Sequence, residues 1–189
     1  MLMSQRRALE VLARHRGDRI VVTTMSAVGI WPELSDTPLD FAYLPSSMGQ
    51  APALGLGLAL GTGRGVIVVN GEGSMLMNLG SLVTLAAHPA DIYLVILDNG
   101  LYEVTGGQPT AGTGRVDFAG LARAAGIRRV YACTNLATWE AMAEEALKKP
   151  GPVVIVIKTE GRLGQKTPAA PRPMAEQIAR LQAALALPG

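Results

Sequence analysis

The sequence predicts an α/β fold: a doubly wound parallel sheet flanked by helices, in a single domain. Two runs, Ile92 to Leu97 and Val153 to Ile157, are apolar along their whole length and have the length of buried strands. Such runs alternate with segments of helical period, the pattern of strand–helix–strand units. With 189 residues, 49% of them hydrophobic and 17% charged, the chain can bury one full core but is short for two.

Ser4 to Arg16 places Leu9, Leu12 and Ala13 on one helical face behind a capping Ser4, and Gly17-Asp18 ends it ahead of the strand Ile20 to Val22. Trp31-Pro32 and Thr37-Pro38 punctuate the chain before a short strand, Phe41 to Leu44, and a small-residue helix from about Gly49 to Leu60. Val66 to Val69 is the next strand. After Gly71 a helix is expected from about Met75 to Ala87, stopped near Pro89, and then the strand Ile92 to Leu97. Asp117 to Ala125 reads as a capped helix, Arg129 to Ala132 as a strand and Leu136 to Lys149 as a helix before Val153 to Ile157. Pro168, Pro171 and Pro173 stiffen a connector to a last helix, about Met174 to Leu185. The ligand-binding domain is thus expected over residues 1–165. Residues 166–189 are expected to be a connector and helix that pack on or extend it.

A net charge of +2, with arginines scattered and no aromatic interleaving, points to neither nucleic acid nor an anionic membrane as partner. The uncharged span Phe41 to Gly63 is interrupted by Pro45, Ser46, Ser47, Gln50 and Pro52, so a buried loop and helix are expected there, not a membrane crossing. Arg6 and Arg7 interrupt any apolar signal core near the amino terminus, and a cytoplasmic protein is expected. Cys133 is the one cysteine and is read as a small core residue, while His15 and His88 fall near helix carboxyl ends and are given no chemistry.

Parallel sheets bind ligands at the carboxyl ends of their strands. The loops after Leu44, Val69 and Leu97 carry the unusual residues. Gly71-Glu72-Gly73-Ser74 leaves a strand and opens a helix, so main chain can approach a ligand and free N–H groups favour an anion such as a diphosphate. Alone, that pattern is equally a tight turn. Asp98-Asn99-Gly100-Leu101-Tyr102 leaves the following strand at the same sheet edge, and the two strand ends can converge on one cation. The Glu72 carboxylate, the Asn99 side-chain carbonyl and the Leu101 main-chain carbonyl form an all-oxygen set that suits Mg²⁺ and offers nothing soft to zinc.

These residues resemble the thiamine diphosphate enzymes, whose signature pairs a Gly-Asp-Gly with an asparagine at the spacing found here between Glu72 and Asn99. Two departures stand out: Glu72 replaces the usual aspartate, and Asp98 the first asparagine of a pair. Ser47-Met48-Gly49, the stretch Gly71 to Leu82, Leu97 to Gly100 and Thr105-Gly106-Gly107-Gln108 look like the sulfopyruvate decarboxylase β-subunit family, with a similar pattern in the carboxy-terminal half of phosphonopyruvate decarboxylases. The likeness runs from about Arg6 to Glu160.

The resemblance implies thiamine diphosphate and Mg²⁺ as cofactors. It makes Ser46, Ser47, Met48, Gly71, Glu72, Gly73, Ser74, Asn99, Leu101 and Tyr102 cofactor-binding positions, with Glu72, Asn99 and Leu101 holding the metal. Met48 would be the apolar side chain on which the cofactor bends, Ser46 would offer a main-chain carbonyl to its aminopyrimidine, and Ser74 would donate to the diphosphate. Thr105 and Gln108 are the expected catalytic positions, on a Gly- and Thr-rich loop, Glu103 to Arg115, able to close over a small anionic 2-oxo acid; Gln108 and Arg115 are candidates to hold its anionic group. The family's activating glutamate lies on a separate pyrimidine-binding domain, so the resemblance also implies an α subunit carrying that domain, in a hetero-oligomer, with a dimer of this chain alone as the other arrangement. The implied reaction is decarboxylation of sulfopyruvate to sulfoacetaldehyde. Phosphonopyruvate or another 2-oxo acid as substrate, a carboligase, and a non-catalytic cofactor-binding or regulatory subunit remain open.

Overall fold

Residues 2–186 are described by the computed structural model; Met1 and residues 187–189, at the outer ends of the two expected segments, lie outside the described residues. Six parallel strands form the main sheet: β1 (Ile20–Thr23), β2 (Asp40–Ala42), β3 (Val66–Gly71), β4 (Ile92–Asp98), β7 (Arg129–Cys133) and β8 (Val153–Lys158), in the spatial order β2-β1-β3-β4-β8-β7. A two-stranded antiparallel hairpin, β5 (Leu101–Tyr102) and β6 (Gln108–Pro109), stands beside it. The helices are α1 (Gln5–His15), α2 (Ala51–Thr62), α3 (Glu72–Met77), α4 (Gly80–Ala87), α5 (Phe118–Ala124), α6 (Leu136–Lys148) and α7 (Met174–Ala186).

Alternation along each strand divides the core into two layers. Ile67, Val69, Tyr93, Val95 and Leu97 face α1 and α6, whereas Val66, Val68, Ile92, Leu94 and Ile96 face the side of α2, α4 and α5. Trp139 on α6 is fully buried and its indole N–H donates to the Ala8 carbonyl at 3.0 Å, which joins α6 to α1. On the other face α2 has almost no polar residue and lies close to the sheet, because a Cβ at Gly55 would collide with Val68 Cγ2. α7 covers the edge strand β2: Gln177 Oε1 accepts from Ala42 N at 2.8 Å, and Leu181 joins the core.

The observed caps have the expected chemistry. Ser4 accepts from Arg7 N, Asp117 from Gly120 N and Asn135 from Thr138 N. The expected helix from Met75 to Ala87 is instead two helices, α3 starting at Glu72 and α4 at Gly80, broken where Asn78 leaves helical geometry. Asn78 Nδ2 donates to the Gly49 carbonyl at 3.2 Å, and this side chain draws the break toward the loop after β2. The lone Cys133 is buried, and burial pushes its thiol up to about 11. None of the described helices is long and apolar enough to cross a membrane.

Candidate functional site

β1 leads to β2 on one side of the sheet, and β3 lies on the other side of β1. The chain therefore reverses direction across the sheet between β1 and β3, where a doubly wound sheet opens a crevice at its carboxyl edge. A pocket of about 360 Å³ lies there, lined by Met25, Ser26, Met48, the turn Gly71–Ser74, and Asn99 with Leu101–Thr105.

The two halves of the sequence motif meet at this edge because β3 and β4 pair in register, Gly71 opposite Leu97. Asn99 N donates to Glu72 Oε2 at 3.4 Å, while Glu72 Oε1 is buried with no partner. Burial, and then the nearby charge of Asp98, push the Glu72 carboxyl up to about 7. Ser74 Oγ and Asn70 Nδ2 are likewise buried without a partner at the same strand end. A buried carboxylate oxygen, hydroxyl and amide left unpaired together are costly unless a ligand satisfies them.

The remaining oxygen donors have room for a cation. Asn99 Oδ1 accepts from Leu101 N at 2.8 Å and keeps a second lone pair. Gly100 O and Tyr102 O accept from Thr110 N and Gly107 N across the hairpin, so alternation along the strand turns the Leu101 carbonyl away from β6. Among the described residues no three His, Cys, Asp or Glu side chains gather, and the set here is one carboxylate, one amide oxygen and one main-chain carbonyl. This donor chemistry fits Mg²⁺. Gly73 supplies close approach, since a Cβ there would fall 2.6 Å from the Tyr102 ring. α3 has only six residues, so attraction for a diphosphate rests on free amides more than on a helix dipole.

Asp98 is accounted for by the neighbouring strand. β4 and β8 pair Asp98 with Lys158, and Lys158 Nζ donates to Asp98 Oδ2 at 2.5 Å. With one oxygen held by Lys158, the aspartate can stand beside Glu72, whose pKa its charge raises, without serving as the metal ligand.

Nine of the twelve residues singled out in the sequence line the pocket: Met48, Gly71, Glu72, Gly73, Ser74, Asn99, Leu101, Tyr102 and Thr105. Ser46, Ser47 and Gln108 do not. The connector after β2 reaches the pocket only at Met48, leaving Ser47 exposed and the Ser46 hydroxyl buried without a partner. Gln108 is exposed on β6, where its side-chain amide lies back against Gly106, and Arg115 is exposed outside the pocket. The loop expected to close over substrate, Glu103 to Arg115, includes β6 of the hairpin, and the Thr113 hydroxyl lies between the Thr110 and Gly100 carbonyls.

Sequence reasoning missed Met25 and Ser26, and placed Glu103 and Val104 only within the loop expected to close over substrate, with no role of their own. Met25 has φ 48, the one positive φ outside glycine among the described residues, and that strain sits on the pocket wall. Glu103 is a buried carboxylate: its Oε2 accepts from Gln5 Nε2 at 2.9 Å and Ser26 Oγ at 2.7 Å, and its Oε1 from Arg162 N at 2.7 Å. No local sequence signal marks the β1 loop; it reaches the pocket because the crevice opens between β1 and β3, an order set by tertiary pairing.

Residues 25–157 match the family described as thiamine pyrophosphate enzyme, C-terminal TPP binding domain. A phosphonopyruvate decarboxylase of Streptomyces viridochromogenes is 45% identical over 141 residues, 74% of this chain and 35% of that protein. Sulfopyruvate decarboxylase subunit beta of Methanococcus maripaludis is 34% identical over 163 residues, 84% of this chain and 85% of that protein; the same subunit of Methanothermobacter thermautotrophicus is 41% identical over 121 residues, 64% and 62%. The chain spans about a third of the length of the phosphonopyruvate decarboxylases it matches. A benzoylformate decarboxylase of Polynucleobacter necessarius shares the fold, with a TM-score of 0.72 at 21% identity over 84% of this chain and 33% of that one. The match over residues 25–157 and the subunit match over most of both chains establish that this chain belongs to the thiamine pyrophosphate enzymes and carries their C-terminal TPP binding domain.

Proposed function

We propose that this chain is the diphosphate- and Mg²⁺-binding subunit of a thiamine diphosphate-dependent 2-oxo acid decarboxylase. It would act in the cytoplasm, on sulfopyruvate first of all, together with an α subunit that carries the pyrimidine-binding domain. The observation that carries the reading is the group of unpaired buried polar atoms at Glu72 and Ser74, within the glycine turn, and at Asn70 just before it, at the switch point of the sheet. In this reading residues 1–165 are the cofactor-binding domain, and residues 166–189 a connector and a helix packed on it. Similarity to subunits named beta, one of them matched over 85% of its length, supports the partner.

When bound, thiamine diphosphate supplies an electron sink for breaking the bond between the carboxylate and carbonyl carbons of a 2-oxo acid. Glu72, Asn99 and the Leu101 carbonyl would hold Mg²⁺, and the main chain of Gly71 and Gly73 with the Ser74 hydroxyl would bind the diphosphate. Met48 and Tyr102 would give the cofactor apolar walls, with Ser46 and Ser47 meeting it from the connector after β2. The Asp98–Lys158 pair keeps the second carboxylate of the motif occupied, so that Glu72 alone binds the cation. Thr105 lines the pocket and Gln108 lies outside it on β6; both would meet substrate once the partner closes the site.

Calorimetry with thiamine diphosphate at limiting Mg²⁺ tests the placement. Glu72→Asp is expected to bind at least as well as the natural protein, and Glu72→Ala at least about tenfold more weakly. Unchanged binding in Glu72→Ala would overturn the metal assignment. Release of CO₂ from sulfopyruvate and from phosphonopyruvate by the complex decides the substrate; phosphonopyruvate is the second reading, favoured by the 45% identity. Cofactor binding with no turnover of any 2-oxo acid would instead make the chain a regulatory subunit.

A further inference from the structure

We infer that the distal anionic group of the substrate is bound on this chain by Arg162 and Lys166, in a cleft that adjoins the cofactor pocket. The inference rests on the 2-oxo acid reading above and assigns the part of the site that sets substrate class. The cleft has a volume of about 740 Å³, partly open to solvent, and shares Ser26, Glu103 and Val104 with the pocket. The cleft thus lies directly beside the pocket, with Ser26, Glu103 and Val104 between the two.

The charges lining the cleft leave a positive surplus. Arg6 is engaged by Glu33 at 2.6 Å. Glu103 has both carboxylate oxygens occupied by neutral donors, Gln5, Ser26 and the Arg162 main chain, and still counts as one formal negative charge, so three cations face two carboxylates and the surplus is one positive charge. Arg162 and Lys166 remain; neither has an ion-pair partner among the described residues, and both side chains are exposed. A guanidinium and an ammonium on the lining of one cleft suit a tetrahedral oxyanion, sulfonate or phosphonate, with the arginine able to engage two oxygens at once.

The cations are also placed by the fold. β8 ends beside β4, Thr159 N donates to Asp98 O, and Glu160 N donates to Met3 O, so the chain leaves the sheet along a fixed path. Arg162 N then donates to Glu103 Oε1, the carboxylate directly after Tyr102 on the pocket wall. Glu103 thus sets the distance between the pocket and Arg162. The residues first expected to hold the anion, Gln108 and Arg115, line neither cavity.

The test uses the full chain and probes that lack a reactive carbonyl. Sulfoacetate and phosphonoacetate carry a carboxylate and a tetrahedral oxyanion, and acetate serves as the reference, all at constant ionic strength. Amide NMR titration is expected to shift Ser26, Val104, Arg162 and Lys166 with both dianions and not with acetate. Arg162→Gln and Lys166→Gln should each weaken dianion binding about tenfold, while the distant Arg128→Gln leaves it unchanged. In the complex with the α subunit, the same variants should raise KM for the anionic 2-oxo acid about tenfold with kcat and the KM for pyruvate little changed. A phosphonate, more highly charged than a sulfonate near neutrality, should lose more on Lys166→Gln, which distinguishes the two tails. Dianion binding equal to the natural protein's in both variants, or shifts confined to other residues, would overturn the assignment. If the complex still releases CO₂ from an anionic 2-oxo acid in that case, the decarboxylase reading stands without this anion site. If thiamine diphosphate fails to bind, that reading falls, and the dianion titration still decides the anion site.

Discussion

Glu72 sits where a carboxylate is poorly accommodated without a cation. Burial and Asp98 raise its pKa from 4.5 to about 7, so between these values the folded chain binds more protons than the unfolded chain. The stability associated with the protonated form is complete below about pH 4.5 and is lost as pH rises through about 7, a loss of about 3 kcal/mol. Thermal unfolding of the ligand-free chain from pH 5 to pH 8 should show Tm falling, and Glu72→Gln should flatten that profile; parallel profiles for the two proteins would contradict it. Cation binding needs the ionised form, so Mg²⁺ affinity should rise across the same interval. At this scale the sequence was informative, because the spacing of Glu72 and Asn99 brings them to the carboxyl ends of two adjacent strands. It could not show that Lys158 pairs with Asp98, since that contact exists only through the pairing of β4 with β8.

Helix α2 shows how one element is positioned by the absence of a side chain. A Cβ at Gly55 would collide with Val68 and approach Ile92 Cδ1 at 3.2 Å, whereas one at Gly57 would meet nothing within 4 Å. Gly55→Ala should therefore cost about 1–3 kcal/mol by forcing α2 off the sheet. Gly57→Ala should be neutral or stabilise by about 0.5–1 kcal/mol, as alanine replaces glycine in an open helical position. Urea unfolding of the two variants measures the contrast, and equal effects would show that α2 does not pack as described. The helix itself was legible from its small apolar residues. The break between α3 and α4 was not, because Asn78 turns out of the helix to reach Gly49, far away in sequence.

The whole molecule has two strand edges, and β2 is protected by the last helix. Gln177 Oε1 takes the Ala42 N–H that would otherwise face an open edge, and Gln177 Nε2 donates to the Arg172 carbonyl. Gln177→Leu should leave that buried N–H unpaired and destabilise the chain by about 1–3 kcal/mol, read as a lowered urea midpoint with unchanged slope. An unaltered midpoint would mean that water or another group serves the edge equally well.

The sequence by itself determined the fold class, the order along the chain of the main-sheet strands and of the helices apart from the α3–α4 break, the caps at Ser4 and Asp117, and the two segments that carry the cofactor motif. Each follows from local periodicity, turn chemistry or a short fixed spacing. Tertiary structure decided which strand ends meet: that β1 lies beside β3 and brings Met25 and Ser26 to the pocket, that Glu103 fastens Arg162 beside it, and that Gln108 and Arg115 stand outside. Strand order and the path of the chain after β8 depend on contacts between residues far apart in sequence, and local pattern does not encode which of the covered, apolar strands becomes the neighbour of which.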